Sequence, residues 1–463
     1  MSVHHFHSTI LREYDIRGIV GETLFASDAE AIGQTFGTLV VRNGGKMVCV
    51  GYDGRLSSPE LEEALVKGLV STGLEVRRVG RGPTPMLYYA AHTLGADGGV
   101  MVTGSHNPPD HNGFKMVFAG KPFFADQIKE LGRLASAGDV VTAAGGHAVP
   151  APLQDEYVAR LLADYDGARP LTVVWDAGNG AAGEVMLELA QTLPGTHICL
   201  NSEIDGTFPA HHPDPTEPEN LEQLIEAVIR HKADIGIAFD GDGDRIGVVD
   251  AKCRILWGDQ MMMLLAEDVL RTHPGAQILA DVKASQSLFD RIAALGGQPV
   301  MCRTGHSLIK TRLAETGAPL AGEMSGHIFF ADRYYGFDDA LYAAIRFLGL
   351  LARQETTLAQ RYDSLPKLHN TPELRIACPD ERKFSVVADI KTRLAQAGAT
   401  VSDIDGVRVS TPDGWWLLRA SNTQAVLVAR CESGTEEGLA RLRGMLDVAL
   451  EETGVRERPA MAV

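Results

Sequence analysis

One pattern recurs along this chain and restricts its fold more than any other. A short apolar run of strand type ends in an acidic or glycine-rich turn, and a helical pattern follows. Residues 47–50 lead into Gly51-Tyr52-Asp53-Gly54-Arg55 and then 59–70. Residues 171–175 lead into Asp176-Ala177-Gly178-Asn179-Gly180 and then 184–191. Residues 277–280 lead into Asp281-Val282-Lys283-Ala284-Ser285 and then 288–294. Strands alternating with helices predict α/β units with parallel or mixed sheets. The chain has 463 residues, which at roughly 100–200 residues per domain leaves room for about three or four domains. Three such openings predict three comparable α/β domains.

Composition places the boundaries. Residues 135–152 are rich in Gly, Ala and Pro and close a first domain at 1–151. A break at 251–255 separates a second domain, 152–254, from a third, 255–366. Leu365-Pro366-Lys367-Leu368-His369-Asn370-Thr371-Pro372 reads as a hinge-like connector into a fourth domain, 367–463. There the chain changes character. Strand-type residues 373–377, a helix over 386–396 and strands at 406–410 and 415–419 predict a smaller α+β domain.

The net charge of -17 opposes binding to nucleic acid or to an anionic membrane. An anionic substrate would need a local basic pocket. Cys49, Cys199, Cys253, Cys302, Cys378 and Cys431 form no C-x-x-C pair, which disfavours a zinc cluster and fits a reducing cytoplasm. No secretory h-region opens the sequence. The apolar stretch 341–351 contains Arg346 and is too short to span a bilayer. His4, His5 and His7 read as a solvated, poorly ordered terminus.

Against this background two loops carry chemistry. Thr103-Gly104-Ser105-His106-Asn107-Pro108-Pro109 follows the apolar run 99–102. A strand ending in such a loop presents its serine at the carboxyl edge of a sheet, where open α/β folds place their sites. The acyl-transfer elbow G-x-S-x-G is absent, because Asn107 occupies its second glycine. His106, Asn107 and Lys115 are instead donors suited to a phosphate on Ser105. Asp240-Gly241-Asp242-Gly243-Asp244-Arg245 follows the apolar run 235–239. A calcium EF-hand would need Gly and Glu where Arg245 and Ala251 stand. Three carboxylates separated by glycines can converge on a hard divalent cation and leave room for a phosphate oxygen. A lone serine beside such an ion predicts phosphoryl transfer through a phosphoserine.

Two further loops supply recognition groups. Gly322-Glu323-Met324-Ser325-Gly326-His327 joins an acid, a hydroxyl and an imidazole that could grip vicinal sugar hydroxyls, Glu323 accepting and His327 donating. Arg419-Ala420-Ser421-Asn422-Thr423 suits a phosphate dianion. Thr304-Gly305-His306 offers an imidazole for proton transfer. Gly178-Asn179-Gly180-Ala181-Ala182-Gly183 matches a dinucleotide fingerprint, but is read as a tight turn that starts a packing helix. The four main loops fall one per domain, which predicts a single composite site between domains.

These ordered loops, with Arg12-Glu13-Tyr14-Asp15-Ile16-Arg17-Gly18 and Phe208-Pro209-Ala210-His211-His212-Pro213-Asp214-Pro215, resemble the α-D-phosphohexomutases, most closely the bacterial phosphomannomutase/phosphoglucomutase group. The resemblance runs end to end. It implies three similar α/β domains with mixed sheets, a smaller C-terminal α+β domain and a central cleft. It implies that Ser105 is the phosphoserine and that Asp240, Asp242 and Asp244 bind Mg2+, with a Ser105 phosphate oxygen completing the site. Tyr14, Arg17, Lys115, Arg245, Lys283 and His306 would line the centre, with His106 and Gly305 beside them. Lys115, Arg17 and His306 would be the candidates for proton transfer. Glu323, Ser325 and His327 would read the sugar, and Arg419, Ser421, Asn422 and Thr423 the phosphate that is not transferred. The implied activity is an isomerase that interconverts hexose 1-phosphate and hexose 6-phosphate, of mannose, glucose or both, through a hexose 1,6-bisphosphate. Glucose or mannose 1,6-bisphosphate would act as activator, phosphosugars would be the partners, and no oligomer would be required. Met324 resembles the mannose/glucose group, since glucosamine mutases typically show Gln there. Glu13 departs from the family motif without touching any of these roles. The alternatives are a phosphoglucosamine mutase, a sugar-phosphate phosphatase and a silent sugar-phosphate sensor.

Overall fold

The structure is a computed structural model and describes residues 3–422 and 424–455. It contains four sheets, each drawn from a continuous stretch of chain. The first orders its strands Ile16–Ile19, His111–Phe118, Gly98–Val102, Met47–Tyr52, Glu75–Arg81 and His147–Pro150, with Lys121–Pro122 beside His111–Phe118. The last four in that order are parallel, joined through helices such as Ser58–Ser71 and Thr84–Thr93. Parallel neighbours need such crossovers, whereas antiparallel ones can be joined by a short turn. His111–Phe118 is antiparallel to both of its main neighbours.

The second sheet runs Ile255–Leu256, Ile246–Asp250, Ile235–Phe239, Leu171–Asp176, Gly195–Leu200. The third runs Gln298–Cys302, Gln277–Asp281, Leu320–Gly322, Ile328–Phe330. Each has parallel strands and a terminal antiparallel return. The fourth sheet is antiparallel throughout, with helices Asp380–Gln396 and Glu436–Glu451 completing an α+β domain. The expected three mixed α/β domains and C-terminal domain are therefore what the chain forms. Their common logic explains the site. The serine, aspartate, sugar and arginine loops each join two adjacent antiparallel strands, so each is a hairpin turn held from both sides.

Some local expectations shift. Ile255–Leu256 folds back on Ile246–Asp250, so these two residues belong to the second sheet. The connector contains a two-residue strand, His369–Asn370, paired with Glu432 and Ser433. Helix Asp380–Gln396 starts well before residue 386, because Pro379 precedes it and Asp380 and Glu381 fill its first turn while the apolar positions come later. The segment around His4 is tied down rather than loose: the His4 amide donates to the Ala135 carbonyl at 3.1 Å, and its ring lies 2.7 Å from Asp28 Oδ1. Helix Ala340–Ala352 is buried along its whole length. Its Arg346 forms a two-bond pair with Asp332 at 2.7 and 2.8 Å, which lets a charge sit in the core. Among the described residues no helix is long and apolar enough to cross a membrane.

The fourth domain docks on the third through buried arginines. Arg408 Nη1 donates to the carbonyls of Val282 and Ala284 at 2.7 and 2.9 Å, and its guanidinium lies 3.7 Å over the Trp415 ring. Arg430 Nη1 donates to the Lys283 carbonyl at 2.6 Å and to Asp259 at 3.2 Å. Trp415 and Leu417 pack on Val282. Glu373 Oε2 accepts from Lys283 Nζ at 3.0 Å. Removing one partner of a buried pair costs about 3–5 kcal/mol, so Arg430→Ala is expected to lower the unfolding free energy by that order, read from urea melts. The Lys283 ammonium, working against burial, holds the Glu373 carboxyl down at about 2. A depressed carboxyl stabilises the fold above the ordinary carboxylate range and loses that contribution as pH falls toward about 2. Glu373→Gln is therefore expected to flatten the acid limb of stability against pH between about 4.5 and 2, measured by thermal melts.

Candidate active site

Ser105 stands in the hairpin after Gly98–Val102 with φ of 49°, a left-handed backbone that a non-glycine residue holds only when its surroundings enforce it. Arg55 is the enforcing group. It is 1% exposed and donates to the carbonyls of Ser105 and His111 at 2.8 and 2.9 Å. A Cβ on Gly104 would lie 2.1 Å from Arg55 Nε, so only glycine fits beside the guanidinium. Asp53 accepts from the Gly104 amide and the Thr103 hydroxyl, both at 2.9 Å. The serine is thus fixed before any substrate arrives.

Ser105 Oγ donates to Asp240 Oδ2 at 3.1 Å and lies 3.2 Å from His106 Nδ1. Burial, then the nearby Arg245, pushes the His106 imidazole well below its ordinary range. Asp240, Asp242 and Asp244 have no exposed surface, and their carboxylate oxygens come within 4.8 Å of one another. Burial, then Asp244 and Asp242, raises the Asp240 carboxyl well above its usual value. Lys115 Nζ binds Asp242 at 2.8 Å and Asp244 at 2.5 Å, reaching from the strand opposite Gly98–Val102. Thr84 Oγ1 also donates to Asp242. Asp242 Oδ1 and Asp244 Oδ1 are buried without a hydrogen-bond partner. Orphaned buried carboxylate oxygens are costly, and together with the third carboxylate they fit a hard, oxygen-seeking divalent cation. The loop at 177–183 packs beneath this turn, with the Ala181 amide donating to the Gly241 carbonyl at 2.9 Å. Its glycines thus serve packing around the aspartate turn.

The remaining predicted residues close the cleft. Arg17 lies on Ile16–Ile19 opposite Gly113 and pairs with Asp15. Tyr14 Oη donates to the Thr304 carbonyl at 3.0 Å and accepts from Asn422 Nδ2 at 2.5 Å, so it bridges the first, third and fourth domains. Gly305 has φ of +133°, and a Cβ there would meet the Tyr14 ring at 2.7 Å. Its amide donates to Glu323 Oε1 at 2.6 Å, while Glu323 Oε2 accepts from Ser325 Oγ at 3.0 Å. Lys283 lies 3.9 Å from Asp281, besides its bond to Glu373. Arg419 Nε donates to Asp405 at 2.8 Å, and Ser421 Oγ accepts from the Gln424 amide at 3.2 Å. Thr423 lies outside the described residues. Arg245 Nε donates to His327 Nε2 at 2.9 Å. His327 is 3% exposed and its other nitrogen faces Asp338, so in this state it has no donor turned to the cleft. His306 opens helix His306–Thr316 with its ring stacked on His327, centroids 5.5 Å apart. Burial, then Lys310, pushes the His306 imidazole well below its ordinary range.

Sequence reasoning gave no role to Asp53, Arg55, Thr84, Asp214, Asp338 or Asp405. Asp53-Gly54-Arg55 was visible as a strand-ending turn like that at Asp281, and that parallel was the available signal. Asp338 follows a tyrosine- and glycine-rich turn that carries no motif of its own.

Comparison with known proteins agrees with this arrangement. The family models described as phosphoglucomutase/phosphomannomutase alpha/beta/alpha domains I, II and III match residues 8–140, 155–253 and 257–369, and the C-terminal domain matches 373–448. The chain is 45% identical over 436 residues to a phosphomannomutase/phosphoglucomutase of Pseudomonas aeruginosa, covering 94% of each. It is 42% identical over 445 residues to a phosphoglucomutase of Neisseria gonorrhoeae, covering 96% of each. The crystal structure of a phosphoglucomutase/phosphomannomutase family protein from Burkholderia thailandensis superposes with a TM-score of 0.92 at 44% identity, covering 98% of this chain and 99% of that one. With four hairpin loops meeting in one cleft and every domain matched in order, the chain belongs to the phosphoglucomutase/phosphomannomutase family of isomerases.

Proposed function

We propose that this enzyme interconverts the 1-phosphate and 6-phosphate of glucose and mannose through a phosphoserine at Ser105. The observation that carries the reading is a pre-fixed serine hydroxyl bonded to a carboxylate of the buried aspartate triad. Relatives in this family carry the names phosphomannomutase and phosphoglucomutase, which supports both sugars as substrates. Asp240, Asp242 and Asp244 would hold Mg2+, which when bound draws charge from phosphoryl oxygens.

The residues divide the work. Phosphorylated Ser105 gives its phosphoryl group to the free hydroxyl of a hexose monophosphate: the sugar O–P bond forms as the Ser105 Oγ–P bond breaks, the hydroxyl proton passes to a base, and the freed serine oxygen takes up a proton to restore its hydroxyl. His306 suits that base, since burial, then Lys310, holds its imidazole well below the ordinary range and it stands at the start of helix His306–Thr316. Arg17 and Arg245 neutralise phosphoryl charge, while Lys115 holds the aspartate turn in place and donates to the transferring oxygens. The bisphosphate then turns end for end and returns its other phosphate to Ser105, so glucose or mannose 1,6-bisphosphate would prime an unphosphorylated enzyme. Glu323 and Ser325 would accept and donate to sugar hydroxyls. Arg419, Ser421, Asn422 and Thr423 would grip the phosphate that stays behind, with Arg419 exchanging Asp405 for it. A chain of this charge with free cysteines throughout the described residues suits the cytoplasm.

A coupled assay with glucose 1-phosphate, mannose 1-phosphate and glucosamine 1-phosphate, primed with a trace of bisphosphate, tests the reading. Turnover of the first two is expected; free phosphate as main product would instead identify a phosphatase. Ser105→Ala should lose the phosphate detected by intact-mass analysis and most turnover, while still binding substrate. Asp242→Asn should weaken Mg2+ binding and reduce kcat well over tenfold, a barrier rise above about 1.4 kcal/mol. Full activity in excess chelator would rule out the metal.

A further inference from the structure

Asp338 is not among the residues that any motif of this chain singles out, yet it organises a buried chain of charges behind the cleft. It has no exposed surface. Its Oδ1 accepts from Lys310 Nζ at 2.8 Å, and that ammonium also lies 4.6 Å over the Tyr88 ring. Its Oδ2 lies 3.0 Å from His327 Nδ1, nearer than Asp244 Oδ1 at 3.6 Å, and 3.7 Å from His306 Nδ1. Oδ2 and both imidazole nitrogens are buried with no in-line hydrogen bond in this state. On the far side of the His327 ring, Nε2 accepts from Arg245 Nε at 2.9 Å.

The protonation pattern follows from the donors. An arginine nitrogen always carries its hydrogen and never accepts. His327 Nε2 must therefore be bare, and the proton of the neutral ring must sit on Nδ1, facing Asp338. A carboxylate facing Nδ1 favours that tautomer, and the tautomer in turn favours the Arg245 contact. Arg245 belongs to the aspartate turn, where its amide donates to Asp240 Oδ1 at 3.2 Å, and the other oxygen of that carboxylate accepts from Ser105 Oγ at 3.1 Å.

We propose that Asp338 is a positioning residue for phosphoryl transfer: it fixes the Nδ1–H tautomer of His327 and, through it, the seat of the Arg245 guanidinium beside Ser105. Lys310 makes the role specific to a carboxylate. In Asp338→Asn, the Lys310 ammonium can only donate, so it takes the amide oxygen and turns the amide NH2 toward His327 Nδ1. That arrangement favours a proton on Nε2 and sets two N–H groups against each other at Arg245. An asparagine in place of an orienting aspartate injures catalysis in this way elsewhere, with the geometry nearly intact.

The inference rests on the reading that Arg245 serves the phosphate on Ser105, and its test has a readout that does not depend on turnover. In phosphorylated, Mg2+-loaded enzyme labelled with 15N-histidine, the parent should show the His327 proton on Nδ1, and Asp338→Asn should move it to Nε2. The same variant should lose at least about tenfold in kcat with KM within about threefold, and Asp338→Glu, which keeps the carboxylate, should recover part of the loss. A parent ring protonated on Nε2 would overturn the proposal by itself, even if the asparagine variant failed to fold. An unchanged tautomer in Asp338→Asn, or an unchanged kcat, would overturn it too. A parent inactive as a mutase would count against the functional reading while the tautomer result still stood.

Discussion

Three carboxylates without exposed surface, grouped within 4.8 Å, set the terms for the rest of the cleft. Like charges that close repel in a medium where water screens little. Burial and its two neighbours push the Asp240 carboxyl up, while Lys115 and Thr84, against burial, hold Asp242 down. The surrounding structure answers the rest of the charge. Lys115 comes from the first sheet, Arg245 closes the aspartate turn itself, and Arg17 reaches in from the first strand. A chain whose overall charge is -17 can hold an anionic substrate only because its cations are concentrated here.

That concentration was partly legible in the sequence. The Ser105 and Asp240–Asp244 loops stood out because each sets chemically active residues among glycines or prolines directly after an apolar strand, and such placement has few structural uses. The Glu323 and Arg419 loops were legible for the same reason. What the sequence hid were the single charges whose partners are backbone carbonyls or distant side chains. Arg55 holds the serine loop through main-chain oxygens 50 and 56 residues away. Arg408 and Arg430 dock the fourth domain on carbonyls more than 120 residues upstream. In a strand such as Val426–Ser433, a lone arginine reads as a solvent-facing residue, and only the fold shows that a neighbouring domain covers it. The assignment of His327 to sugar recognition rested on its place in the loop, whereas its ring is held between Arg245 and Asp338.

The repeated use of the antiparallel return explains how one architecture serves four purposes. A parallel strand must leave its sheet through a long crossover. A hairpin end is tied to the same sheet on both sides. Placing the nucleophile, the cation ligands, the sugar groups and the anion groups on hairpins gives each a rigid base.

The contact between Tyr14 and Asn422 spans 408 positions of sequence. Loop-closure entropy rises only about 0.6 kcal/mol for each doubling of length, so the equilibrium cost of joining such distant segments is modest. The kinetic consequence is larger, because contacts of high sequence separation form slowly and late. On the ribosome, Tyr14 is made 408 positions before its partner exists. The first domain can bury its own core in the meantime, but the cleft has no fourth wall until the fourth domain has been made. A site walled by four domains is complete only when residues as far apart as Tyr14 and Asn422 are both in place.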